Sequence, residues 1–253
     1  MSAQSTASER AAGLAEPPNR RQRARAATLE EIKQTALELM REQGTVDVRF
    51  TDIARAMGLT PPALYRYYAD RDELLTAMVT DSFEDLAAEL AAARESVPTG
   101  DLGGRFLATC AAYRSWAFGN PQRFSLIFGV PVPGYSAPVG GPTTDAAQRA
   151  MANLAGLVLD TQRHGTLGEP IVRDVSPAFV EFAGCKLAEF GDAIPPATYQ
   201  AMLLTWSSLH GFVCLEAYGH FHWMEPGIRD DLFLALVRVA AVTTGLTPPE
   251  RNS

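Results

Sequence analysis

The residues of this chain best suited to chemistry cluster just after position 59, and their types suit recognition rather than reaction. Thr60, Pro61, Pro62, Ala63, Tyr65, Arg66 and Tyr67 follow one another with only Leu64 between them. Small, aromatic and basic side chains on one short outer face fit the major groove of a duplex. Two consecutive prolines at a helix start remove its first two N–H groups. That weakens the helix end as an anion site. It leaves apolar contact, for example to thymine methyls. Hydroxyl and guanidinium groups suit phosphate oxygens.

A second set lies further along: Tyr113, Trp116, Phe124, Phe128, Met151, Trp206 and His210. An aromatic stripe at helical spacing often means nothing more than core. Several of these side chains, however, carry polar tips that a dry core would have to satisfy. Together they favour a cavity for a small apolar ligand. His210, between Leu209 and Gly211, suits an interior, hydrogen-bonded histidine.

Catalytic constellations fail on spacing. Ser207, Ser208 and His210 are too local for a triad oriented by a buried carboxylate. Residues 140–145, GGPTTD, lack the Gly-Lys-Ser/Thr of a phosphate loop. Glu216, His220 and His222 could be weighed as metal ligands, but Gly219 suggests a frayed helix end where histidines favour the dipole. No catalytic residue, metal site or cofactor is expected.

The elements that must hold these residues are helical. In residues 50–68, Ile53, Ala54 and Met57 give one short helix its apolar side. Gly58 allows a left-handed turn. Leu59 returns to the core, Thr60 is placed to cap a second helix, and Pro61 suits its first position. Leu64 and Tyr68, four apart, form that helix's buried edge. Ahead of this motif, Thr28 and Glu31 read as a capping box, with Leu29, Ile32, Ala36, Leu39 and Met40 at helical spacing. Residues 1–27 are Ser/Ala/Pro-rich and read as a disordered basic arm. Arg23 and Arg25 at its end suit either a solvated tail or an arm along phosphates or in a minor groove. Beyond the motif, Asp70 opens a long helix to about residue 96. Further helices are expected at 102–118, 120–128, 144–164, 177–190, 196–219 and 228–245, with a Gly/Pro loop at 129–143. No convincing strand and no internal repeat is present.

Residues 28–83 resemble the DNA-binding domain of TetR-type transcriptional regulators. The resemblance rests on Ile53-Ala54-x-x-x-Gly58, on Leu64-Tyr65-x-Tyr67-Tyr68, and on Asp70-Arg71-Asp72-Glu73-Leu74-Leu75 in that order. It implies that Tyr65, Tyr67 and Arg71 touch phosphates. Where the family commonly starts its second helix on Ser or Thr, this chain has Arg49. Thr51 is a substitute polar contact, and Arg49 can reach a phosphate by charge. Trp206-x-x-x-His210-Gly211 is similar to the Trp-His-Gly signature of one TetR C-terminal domain type. The resemblance implies an all-α fold: a three-helix helix-turn-helix domain at 28–75 and a C-terminal bundle at 76–248. The last two helices of two chains would pack as a four-helix dimer interface, with Met202, Leu203, Leu209, Val213, Leu232, Leu236, Val239 and Ala240 as candidates.

Bulk properties agree. The net charge is −7, yet residues 1–80 carry 11 basic and 11 acidic side chains, so the acidic excess lies in residues 81–253. That part should point away from DNA. Three scattered cysteines, Cys110, Cys185 and Cys214, read as buried free thiols in a reducing compartment. No signal peptide or membrane span is visible, so a soluble, cytoplasmic protein is expected. The functional expectation is a homodimeric repressor released from double-stranded operator DNA by a lipophilic effector. A DNA-binding regulator without an effector, and an all-helical enzyme or carrier using the motif only for packing, remain as alternatives.

Overall fold

Asn19 starts the first helix by a reciprocal pair of bonds. Its side chain accepts from the Gln22 N–H at 3.0 Å, while the Gln22 side chain accepts from the Asn19 N–H at 2.8 Å. Helix α1 then runs Arg20–Gln43. The computed structural model describes residues 19–187 and 194–249. The expected disordered arm therefore needs correction: residues 20–27 are helical, and 1–18 lie outside the described residues. Thr28 is no cap, since its hydroxyl donates to the Ala24 carbonyl inside the helix. Ile32, Ala36 and Met40 form the buried stripe, and Gly44 closes the helix at φ +65°.

Helix α2 (Phe50–Ala56) and helix α3 (Pro61–Leu64) make the helix-turn-helix. Gly58 sits at φ +66°, the left-handed turn that its missing Cβ permits. Ile53, Ala54, Leu64 and Tyr68 are buried as the spacing requires. Two local details differ from the sequence expectation. Thr60 makes no side-chain cap; its carbonyl instead accepts from Ala63 N–H at 2.8 Å. The second helix is only four residues long and continues through Tyr68 as successive turns, with Tyr67 N–H bonding Leu64 at 2.9 Å.

The chain divides into two compact units, Met1–Ala69 and Asp70–Ser253. The division falls ahead of the expected boundary at 75 because α4 (Arg71–Glu95) is one unbroken helix from its Asp70 cap, whose carboxylate accepts from Glu73 N–H at 2.8 Å. The second unit continues through α5 (Leu102–Gly119), α6 (Pro121–Phe128), α7 (Pro142–Arg163), α8 (Pro177–Leu187), α9 (Pro196–Ala217) and α10 (Pro226–Thr244). No strand occurs among the described residues. Leu86 and Leu90 of α4, Phe106 and Tyr113 of α5, Leu157 of α7, Val213 of α9 and Val237 of α10 share one core. Each fully buried apolar side chain of this size contributes about 1.5–3 kcal/mol.

A buried ionic knot ties α5, α9 and α10. Arg114 donates to both Glu216 oxygens at 2.6 Å and to Asp230 at 2.8 Å. Its guanidinium also lies 4.8 Å from the Phe233 ring centroid. The hydrogen bonds to Glu216 push the Arg114 pKa further up. The cysteine expectation holds only in part: Cys110 is buried, Cys214 half-buried and Cys185 exposed, because α8 turns that position outward.

Candidate nucleic-acid interface and ligand cavity

In the first unit, Arg49, Thr51, Thr60, Pro61, Pro62, Tyr65 and Arg66 are exposed, while Ala63 and Tyr67 are half-buried. The two prolines carry no N–H, and the Ala63 amide is taken by Thr60, so the start of α3 offers little to an anion. Its contact surface is apolar. Tyr65 packs its ring on Phe50, centroids 4.9 Å apart, which fixes an otherwise exposed aromatic. Arg25 bonds the Arg66 carbonyl at 3.1 Å and lies over the Tyr67 ring. The structure thus brings Arg25, Arg66 and Tyr67 together. The Arg23 side chain stands exposed two residues before Arg25. Arg71 opens α4 in the second unit and is half-buried there.

The second unit holds a cavity of about 680 Å³. Val79 and Phe83 of α4 form part of its wall, facing Met151 of α7 and Trp206 of α9. Of the seven expected ligand-binding residues, Met151 and Trp206 line this space. Tyr113, Trp116, Phe124, Phe128 and His210 do not; they correct the sequence expectation by forming packed core beside it. Their polar tips are satisfied from within. Tyr113 Oη and His210 Nδ1 are 2.6 Å apart, and the Trp116 indole N–H donates to Asp85 at 2.8 Å. His210 also stacks on Trp206, centroids 5.0 Å apart, with Cys214 Sγ 3.3 Å from its Nε2. Burial lowers the His210 pKa below its ordinary value and raises those of Tyr113 and Cys214. The His210 ring thus sits inside an aromatic cluster, its nitrogens against Tyr113 and Cys214.

Sequence reasoning found only Met151 on the face of α7 that forms the opposite wall. Thr143, Ala147 and Ala155 line it, and small residues of this kind carry no signal of a site. The metal constellation also dissolves, since Arg114 occupies both oxygens of Glu216. Among the described residues no group of three metal-ligating side chains occurs.

Comparison with known proteins settles the family. Residues 106–240 match the family described as tetracyclin repressor-like, C-terminal domain, and residues 32–78 match the bacterial regulatory proteins of the tetR family. The chain belongs to the TetR family. It is 31% identical over 212 residues to the HTH-type transcriptional regulator Rv1816 of Mycobacterium tuberculosis, covering 80% of this chain and 88% of that protein. The HTH-type transcriptional regulator Mb1846 of Mycobacterium bovis matches to the same extent. Among solved structures, the regulatory protein SCO4313 is 32% identical at a TM-score of 0.68, covering 88% of this chain and 98% of that one. A protein of unknown function from Rhodococcus sp. RHA1, 21% identical at a TM-score of 0.62 over 84% of this chain and 92% of that one, shares the fold. This TetR-family chain is accordingly a DNA-binding transcriptional regulator of all-helical architecture. No helix among its described residues is long and apolar enough to cross a membrane.

Proposed function

We propose that this chain is a homodimeric, cytoplasmic repressor that leaves its operator when a small apolar effector fills the α4–α7–α9 cavity. The observation that carries the proposal is the wall itself. Val79 and Phe83 belong to α4, the helix whose cap Asp70 directly follows the helix-turn-helix unit in the chain. A ligand that displaces Phe83 acts on the element that leads into that unit. Such a switch requires tighter effector binding to the DNA-free form, by about 1–3 kcal/mol of coupling.

Arg49, Thr51, Thr60, Pro61, Pro62, Ala63, Tyr65, Arg66, Tyr67, Arg71, Arg23 and Arg25 are proposed as the DNA-contacting set, with the basic and hydroxyl groups on phosphates. Dimer formation is supported by apolar side chains that stay exposed on the last two helices. Leu204 and Leu215 of α9 and Ile228, Leu232, Val239 and Val242 of α10 are all more than 40% exposed. Spacings of 11 residues on α9 and of 4, 7 and 3 on α10, all near whole helical turns, place each set along one helix face. Leu209, Val213 and Ala240, expected at this interface from sequence, instead fill the chain's own core. The Trp206–His210–Gly211 segment is proposed to mark the Trp-His-Gly domain type.

Fluorescence anisotropy with labelled DNA from around the chain's own coding region tests the proposal. Tight binding of a dimer, reversed by a compound that also raises the melting temperature, is the expected result. DNA binding that no stabilising compound reverses favours a regulator without an effector. Absence of DNA binding favours a helical enzyme or carrier.

A further inference from the structure

Among the described residues, the cavity wall contains no Lys, Arg, His, Asp or Glu. An ionised head buried there would lose hydration with no opposite charge to replace it, a cost that disfavours charged ligands. At about 30 Å³ per water-sized group, a space of about 680 Å³ holds roughly 20 non-hydrogen atoms.

The polar groups of the wall are unequal: Thr144 and Gln148 are exposed and stay hydrated, and Tyr199 is half-buried. The hydroxyls of Thr205 and Thr244 already donate to the Ala240 carbonyl at 3.3 and 3.1 Å, with Thr244 also 2.9 Å from Ala241 O. They have no hydrogen left to give. Trp206 differs from Trp116: its indole N–H bonds no described residue, whereas the Trp116 N–H is taken by Asp85. Thr143 is 5% exposed, and its hydroxyl likewise bonds no described residue. It occupies the first turn of α7, where the helix start carries partial positive charge and Gly141 supplies no side-chain cap. An indole N–H can only donate, and a buried one normally finds an acceptor. Asp145 in the same first turn already answers the α7 dipole.

Resting on the effector role of this cavity, we propose that its ligand is an uncharged amphiphile: an apolar body carrying one hydrogen-bond-accepting oxygen group, such as an ester, ketone or lactone carbonyl. Trp206 and Thr143 supply the donors, and the methionines, phenylalanines and leucines of the wall take the body.

The test uses the full chain and four probes with one hydrocarbon tail: methyl dodecanoate, dodecanoate, dodecylammonium and dodecane. Affinity is read by calorimetry and by thermal melting at neutral pH. The ester is expected to bind at least about tenfold tighter than either ion and tighter than the alkane. Trp206→Phe keeps the aromatic body and should lose the ester-over-alkane preference while leaving the alkane affinity unchanged. Thr143→Val should act in the same direction. The proposal is overturned by an ion binding within about twofold of the ester, by an ester no better than the alkane, by both variants keeping the preference, or by no probe binding. DNA release is measured separately by anisotropy. Ester binding without release sinks the switch and leaves the ligand class standing, whereas release by an ion does the reverse.

Discussion

The guanidinium carbon of Arg25 lies 5.2 Å from the ring centroid of Tyr67, and its Nη1 donates to the neighbouring Arg66 carbonyl at 3.1 Å. The first turns of α1 thereby hold the end of the segment that follows α3. An exposed cation–π contact is worth about 0.5–1 kcal/mol, and a lost phosphate contact adds to it. Arg25→Ala should weaken operator binding about tenfold with little change in melting temperature. Arg25→Lys keeps the charge but not the planar stack, so it should recover only part. Arg23→Ala, which breaks no side-chain contact among the described residues, should only flatten the salt dependence, by about 0.9 in slope. Anisotropy across a salt series distinguishes these outcomes, and unchanged affinity in Arg25→Ala refutes the positioning role.

Glu216 is the most buried charge in the Arg114 knot, with its side chain 1% exposed, whereas the Asp230 side chain is 68% exposed. Removing Glu216 leaves the Arg114 guanidinium with only the water-exposed Asp230 to answer its charge. Glu216→Ala should therefore cost about 3–5 kcal/mol. Asp230→Ala should cost less than about 1 kcal/mol, because water already screens that contact. Urea denaturation at neutral pH measures both. Equal costs would show that the knot is not organised around Glu216.

What the sequence reveals here is whatever is encoded within a few residues. Ile53, Ala54, Gly58, Leu64 and Tyr68 declare the helix-turn-helix because turn chemistry and helical period are local. The early start of α1 is harder to read. Between Arg20 and Ala27 no large apolar residue marks a stripe, so helix propensity and the Asn19–Gln22 box alone sustain it. The cavity is harder still. Tyr113 and Trp116 look like ligand-binding aromatics until their partners are known. Those partners are His210, 97 positions away, and Asp85, 31 positions away. Spacing cannot announce a bond across such a distance, and the same holds for Arg114 and Glu216, 102 positions apart.

The exposed stripe on α9 and α10 makes a prediction about assembly. Val239 is 62% exposed and Leu232 41%, on the same face of α10. Leu232→Glu combined with Val239→Arg should convert a dimer to a monomer, because each copy would have to bury two charges. Both positions face outward, so circular dichroism should remain helical. Sedimentation velocity reads the mass directly. A variant that remains dimeric would move the interface to another surface.

Burial lowers the pKa of His210 from its ordinary 6.5, which gives stability a defined pH dependence. The folded chain keeps this ring neutral, beside Tyr113 Oη and Cys214 Sγ, where an unfolded chain would protonate it. Tyr113 and Cys214 are both shifted upward, away from this range. Between the folded pKa and 6.5 the unfolded state binds the extra proton, so stability falls as pH falls through that window. Above it, His210 adds no slope. The other three histidines, His164, His220 and His222, are exposed and stay in place in a His210→Gln variant. Urea midpoints taken from about pH 7.5 to about pH 5.5 should therefore fall more steeply for the native chain than for the variant. Parallel curves would mean that the imidazole takes up its proton inside the aromatic cluster as readily as in water.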